Sequence, residues 1–187
     1  MGVQIVDTML GPLHDQRATQ DVCFNKRDDR EIAVNIKASP SPDDIAGACA
    51  EAMWREDDAS KGLGMAIVEV RAGLAVLAMT VQPHMVNGQR IAHGGFIFAL
   101  ADSAFAFACN SHNLRAVAAQ CDISFVRPGK LGDRLVATAR EISRNGRSGI
   151  YDVRVTVDDT VIAEFRGHSR TIGGVWLPTS ATDIKQN

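Results

Sequence analysis

Between Gly94 and Cys109 the chain carries almost nothing but apolar and small side chains: Phe96, Ile97, Phe98, Ala99, Leu100, Ala101, Ala104, Phe105, Ala106, Phe107 and Ala108. A helix that is apolar on every side has to be buried. A membrane span needs roughly 20 uninterrupted apolar residues, and this run is shorter and broken by Asp102 and Ser103. The expectation is therefore a core helix, with no membrane partner. The whole chain is long enough to enclose it, since 187 residues at 45% hydrophobic and 22% charged suit a single globular core.

Asp102 is the exception inside that helix. An unpaired carboxylate in an apolar interior costs several kcal/mol unless partners or water reach it. Two readings stand: a buried salt bridge or carboxylate at an oligomer seam, or a charge bordering a site that uses it. At the helix start, His93-Gly94-Gly95 forms a turn without a β-carbon at two successive positions, so a ligand oxygen can approach the backbone closely. The first amides of a helix lie unsatisfied at the positive end of its dipole, which suits a carbonyl that becomes an oxyanion. Close packing against a strand would explain the two glycines equally well.

Spacing links the two features. Asp102 follows Gly94 by eight positions, about 12 Å along a helix at 1.5 Å per residue. One chain cannot aim both at the same carbonyl. If both serve one reaction centre, a second subunit must run its helix antiparallel to the first, giving two equivalent sites by two-fold symmetry and an obligate homodimer.

The remaining pattern places this helix in an α+β fold. Ser41-Pro42-Asp43-Asp44 has the cap, proline and acids of a helix start, followed by Ile45, Ala48, Cys49, Ala52 and Met53 at helical spacing, which predicts a helix to about Ala59. Met65 to Val70 and Leu74 to Val81 read as a hairpin around Arg71-Ala72-Gly73, with a polar loop from Gln82 to Ala92 after it. Beyond the central helix the period changes to two. Cys121, Ile123 and Phe125 alternate with polar residues, as do Tyr151, Val153, Val155 and Val157, then Val161, Ala163 and Phe165. Turns are expected at Asn145-Gly146 and Asp158-Asp159. The predicted order is helix, two strands, a long helix and four strands, with one antiparallel sheet covering one helix. Residues 1–41 show no periodic face and are expected to be an extension outside the core, poorly ordered. The domain should span 42–175, leaving 176–187 as a tail.

Composition narrows the function classes. A net charge of −2 and the lack of a basic run argue against a nucleic-acid partner. Four scattered cysteines without a CxxC pair read as reduced thiols, and Met1 to Gln20 lacks the basic and apolar regions of a signal peptide, so a cytoplasmic location is expected. His84, His112 and His168 show no metal-ligand spacing, and no metal site is expected.

The string Asn87-Gly88-x-x-x-x-His93-Gly94-Gly95, with Leu100-Ala101-Asp102-Ser103-Ala104 and Ala108-Cys109-Asn110-Ser111, resembles the hotdog-fold thioesterases, and most of all their phenylacetate-degradation subfamily. Phe125-Val126-Arg127-Pro128-Gly129 with Gly132-Asp133, Met53 to Gly64 and Phe165-Arg166-Gly167 carry the resemblance further, over about Asp43 to Gly174. It implies a curved antiparallel sheet wrapped around the long helix, dimers that pair into homotetramers, and hydrolysis of acyl-CoA thioesters with no cofactor, coenzyme A being part of the substrate. It further implies that Asp102 is nucleophile or base for water across the dimer seam. Gly95 or Gly94 would polarise the thioester carbonyl, while Asn87 and His93 order the loop and water. Ser103 is a candidate substrate-binding residue, with an ordinary helix-facing hydroxyl as the alternative.

His93 reads more as a structural hydrogen-bond donor than as a base. Arg127, Lys130, Arg144 and Arg147 could reach coenzyme A phosphates, although surface cations are usually only solvated. Four of the seven phenylalanines lie in the central helix, compatible with an aromatic acyl pocket but ordinary for a core. Two further functions fit the same pattern: a dehydratase or hydratase of an acyl thioester, and an acyl-CoA-binding module without turnover.

Overall fold

The computed structural model describes residues 39–178. Residues 1–38 of the expected extension and 179–187 of the expected tail lie outside the described residues. Helix α1 (Pro42–Glu56) starts where the sequence placed it. Ser41 Oγ accepts the Asp44 N–H at 3.1 Å and Asp44 returns the bond to the Ser41 N–H at 3.0 Å, closing a capping box.

The helix expected to reach Ala59 instead stops at Glu56, and α2 (Asp58–Gly62) begins after it. Asp57 causes the break: its Oδ1 accepts the Ser60 N–H at 2.9 Å and so caps a new helix. Strands β1 (Ala66–Arg71) and β2 (Leu74–Thr80) form the expected hairpin, turned by Gly73 at φ 71°.

Helix α3 spans Gly94–Asn110, and β3 (Ala116–Phe125), β4 (Arg134–Asn145), β5 (Ser148–Val157) and β6 (Thr160–Thr171) follow it. The six strands make one sheet in the order β1-β2-β4-β5-β6-β3, every neighbouring pair antiparallel. Residues Gly146 and Asp158, at φ 56° and 50°, turn the two expected hairpins. Register slips at Ala118/Gln120 and Glu141/Ser143 mark bulges, which bend a strand and increase its twist.

The sheet's inner face meets α3. Leu77, Leu135, Ala137, Tyr151, Val153 and Val155 are buried against Leu100, Ala104, Phe105 and Ala108. Small residues on both sides allow the close approach. A β-carbon at Gly167 would sit 2.8 Å from the Phe105 ring, so β6 passes directly over it. Burial of α3 is not complete. Phe98, Ala99, Asp102, Ser103 and Ala106 are only half-buried, forming an open stripe at the i, i+4 spacing of one helix face.

Asn110 fastens the far end of α3. Its amide donates to Ala106 O at 2.9 Å and Ala116 O at 3.0 Å, and its Oδ1 accepts the Ala116 N–H and the Trp176 indole N–H. Asn113 Oδ1 accepts the backbone N–H groups of Trp176 and Leu177, so ordered contacts run through Leu177.

Candidate active site

The loop before α3 is built around Asn87. Its Oδ1 accepts the Gln89 N–H at 2.9 Å and the Ile91 N–H at 3.3 Å, while its own N–H donates to Ile91 O. These bonds close a small turn that places Arg90 at φ 61° and pairs Val86 with Ala92. The His93 N–H donates to Met85 O at 2.8 Å, fixing the point at which the chain enters the helix.

His93 is the N-cap of α3, and its Nδ1 accepts the Gly95 N–H at 2.9 Å. The ring was expected to donate; it accepts, because a cap must satisfy an outward-pointing helix amide. With Nδ1 accepting, the neutral ring carries its proton on Nε2. The bond also engages the Gly95 amide. Among the described residues no acceptor faces the Gly94 N–H, which leaves Gly94 as the free donor of the pair.

Gly94 borders a groove of about 460 Å³ walled by Ile91, Ile97, Phe125 and Val126, with Asn87 and Arg127 as its polar members. The sequence singled out Arg127 only as one of four cations that could reach coenzyme A phosphates, and gave Phe125 and Val126 no place in the site. They arrive from the end of β3, about 30 positions along the chain, and only the sheet topology brings them to the helix start. The Arg127 guanidinium lies at the rim and donates to Val161 O at 3.1 Å.

Asp102 sits two turns away, half-buried on the open stripe of α3. Its Oδ1 is 3.8 Å from Cys121 Sγ on β3. Among the described residues it has no salt bridge, so the buried-ion-pair reading lacks a partner within this chain. Burial raises its pKa above the ordinary aspartate value, opposed only by the Cys121 thiol. That thiol is itself pushed up to about 11 by burial and by the Asp102 charge, so it stays protonated and donates.

The Ser103 hydroxyl lies 2.9 Å from the hydroxyl of the buried Ser60, tying α3 to α2, and this contact occupies the candidate substrate-binding side chain. Asn87, His93, Gly94 and Gly95 thus come together, while Asp102 remains about 12 Å along the helix from Gly94. No group of three His, Cys, Asp or Glu among the described residues is placed to hold a metal ion.

Comparison with known proteins places this arrangement. A family model described as thioesterase superfamily matches residues 89–164, which hold the helix, its N-terminal turn and most of the sheet. The acyl-coenzyme A thioesterase PaaI of Escherichia coli K12 is 47% identical over 126 residues, covering 67% of this chain and 90% of that protein. The chain belongs to the hotdog-fold thioesterases.

As a thioesterase it is a thioester hydrolase, and its closeness to PaaI extends to three dimensions. The structure of the E. coli PaaI protein from the phenylacetic acid degradation operon superposes with a TM-score of 0.71 at 44% identity, covering 72% of this chain and 99% of that one. A Streptococcus mutans protein solved bound to acetyl CoA gives a TM-score of 0.58 at 27% identity, covering 59% of this chain and 90% of its own. No helix among the described residues is long and apolar enough to cross a membrane.

Proposed function

We propose that this thioesterase hydrolyses a small acyl-CoA, of aryl or phenylacetyl type, to the free acid and coenzyme A, at a site shared by two protomers. The observation that carries this reading is Asp102. It is a half-buried carboxylate with no counter-ion among the described residues, lying on an open helix stripe. Two supports lie beside it. The β3 strand is a sheet edge with Val117 46% exposed, an unpaired edge that a second copy extends in this reading. The eight-residue separation then lets an antiparallel helix bring the partner's carboxylate to the Gly94 amide.

In this reading the thioester carbonyl accepts the Gly94 N–H at the positive end of α3, which draws charge onto its oxygen. Asp102 of the other protomer either takes a proton from the water that adds to the carbonyl carbon, or adds itself, the mixed anhydride left on it then being opened by water to the free acid and the regenerated carboxylate. The C–S bond breaks and the thiolate leaves, a tolerable leaving group, so carbonyl polarisation and one carboxylate suffice without metal or redox cofactor. Asn87 and His93 hold the loop that presents the amide. Arg127 at the groove rim offers its guanidinium to the coenzyme A phosphates. The acyl-CoA substrate is supported by the likeness to PaaI and to the protein that binds acetyl CoA.

A thiol-release assay with benzoyl-, phenylacetyl- and acetyl-CoA tests the proposal. Asp102→Asn should lower kcat by at least about 10²–10⁴-fold, the usual loss when a positioned acid–base group is removed. Unchanged hydrolysis would overturn Asp102's role. Binding without thiol release in the unaltered protein would select the binding module instead.

A further inference from the structure

We infer that Phe125 determines which acyl groups this enzyme accepts, acting as the wall that the acyl chain meets as soon as its carbonyl reaches the Gly94 amide. This rests on the proposal that the α3 N-terminus holds the thioester. The geometry comes from the packing of one ring against one glycine. A β-carbon built on Gly94 would lie 2.8 Å from Phe125 Cζ and 3.2 Å from both Cε atoms, so the tip of the ring rests on the Gly94 backbone. The free amide donor and the ring are therefore immediate neighbours.

The ring is also accessible. Phe125 is 54% exposed and lines the groove together with Ile91, Ile97 and Val126. A hydrophobic ring with half its surface in water, beside a backbone donor that has no acceptor among the described residues, is the arrangement of a binding pocket: one group fixes orientation and apolar walls select shape. A carbonyl oxygen accepting the Gly94 N–H at about 2.9 Å puts the first acyl carbons within van der Waals reach of the ring edge. A planar aryl group can meet that ring offset or edge-on, as aromatic pairs prefer. A long flexible chain has to pass it. The groove offers a polar acyl substituent only Asn87, whose oxygen is already committed to two backbone amides, and the Arg127 guanidinium at the rim.

Its position in the fold explains why the ring can be changed without dismantling the site. Phe125 is the last residue of β3, and it touches the helix start from the sheet side while Asn87 and His93 build the loop from the other. Phe125→Val keeps a strand-forming, apolar residue and removes the ring; Phe125→Trp enlarges it.

The test measures kcat/KM for benzoyl-, phenylacetyl-, acetyl- and octanoyl-CoA in the full-length protein and both variants. Phe125→Val should shift the octanoyl-to-phenylacetyl ratio towards the long chain by about 10-fold or more, the scale on which pocket volume discriminates. Phe125→Trp should shift the phenylacetyl-to-acetyl ratio towards acetyl by a similar factor. If the valine variant does not fold, the tryptophan variant carries the test. Ratios unchanged within about twofold in a folded variant overturn the inference, whatever happens to the absolute rates. Asp102→Asn assayed alongside keeps the two readings apart: wild-type turnover there sinks the catalytic assignment, whereas unchanged ratios sink only the role of Phe125.

Discussion

Asp102 and Cys121 form a pair whose electrostatics can be read in a pH profile. Burial disfavours the charged carboxylate and raises its pKa above 3.8, while the Cys121 thiol, donating across 3.8 Å, pulls it back. The reaction needs the ionised form, so kcat/KM should fall on the acid side with an apparent pKa above the ordinary aspartate value. Cys121→Ala removes the lowering contribution and should move that acid limb to higher pH; Cys121→Ser keeps a donor and should move it less. An acid limb that stays fixed in both variants would detach Cys121 from Asp102. The same shift has a stability sign. A carboxylate whose folded-state pKa is raised binds protons more readily when folded, so its cost is absent below the unfolded value and appears as pH rises through the folded one. Asp102→Asn should therefore raise the melting temperature at neutral pH while activity is lost. The carboxylate was legible in the sequence as the one charge in an apolar run. The thiol was not, because Cys121 lies on a strand 19 positions away and only the fold brings it to the helix.

Among the elements, the C-terminal end of α3 is held by side chains that take no part in the proposed chemistry. Glu141 on β4 accepts the Tyr151 hydroxyl at 2.8 Å and lies 2.7 Å from His112 Nε2, just beyond the helix. Burial would raise the Glu141 pKa, but those two bonds and the nearby Arg144 outweigh it and leave it below its ordinary 4.5. A depressed carboxylate contributes stability above its unfolded pKa and loses it as pH falls through the folded value. Glu141→Gln should cost about 1–3 kcal/mol in chemical denaturation near pH 7 and make stability less steep below pH about 4.5. A variant that still loses stability there as the natural protein does would place the acid sensitivity elsewhere. Strand and helix positions were legible because periodicity and turn residues are local: Ser41, Gly73 and Asn145-Gly146 mark real boundaries. The break at Asp57 also had a local signal, an acidic cap three residues before Ser60. In the Glu141 cluster His112 and Glu141 are 29 positions apart, a distance at which one sequence carries no pairing signal. For the same reason the motif holding Phe125 and Val126 was visible as a string, while its place in the groove wall was not.

At the scale of the whole molecule, the two halves of the proposed site lie on one helix but face different neighbours. The Gly94 amide opens into the groove beneath β3, and Asp102 looks onto the half-buried stripe. Helix rise alone separates them by about 12 Å, so the dimer argument was available before any fold was known. What the fold adds is the unpaired β3 edge beside that stripe. Complementation between inactive chains tests the shared site directly. Gly94→Val drives a branched side chain into the Phe125 ring and should close the amide donor, since even a β-carbon there sits at 2.8 Å. Asp102→Asn leaves the amide intact and removes the carboxylate. Each variant alone should be inactive. In a hybrid dimer, isolated through two different affinity tags, one site pairs the intact Gly94 of the Asp102→Asn chain with the intact Asp102 of the Gly94→Val chain. The other site carries both defects. Such hybrids should recover about half the turnover of the natural dimer, because two-fold symmetry gives two equivalent sites and one is whole. A site lying within a single chain predicts no recovery, since each chain then carries its own defect. Sedimentation of the hybrid in the assay buffer must show a dimer or a pair of dimers, and recovered activity in a monomer fraction would reject the shared site.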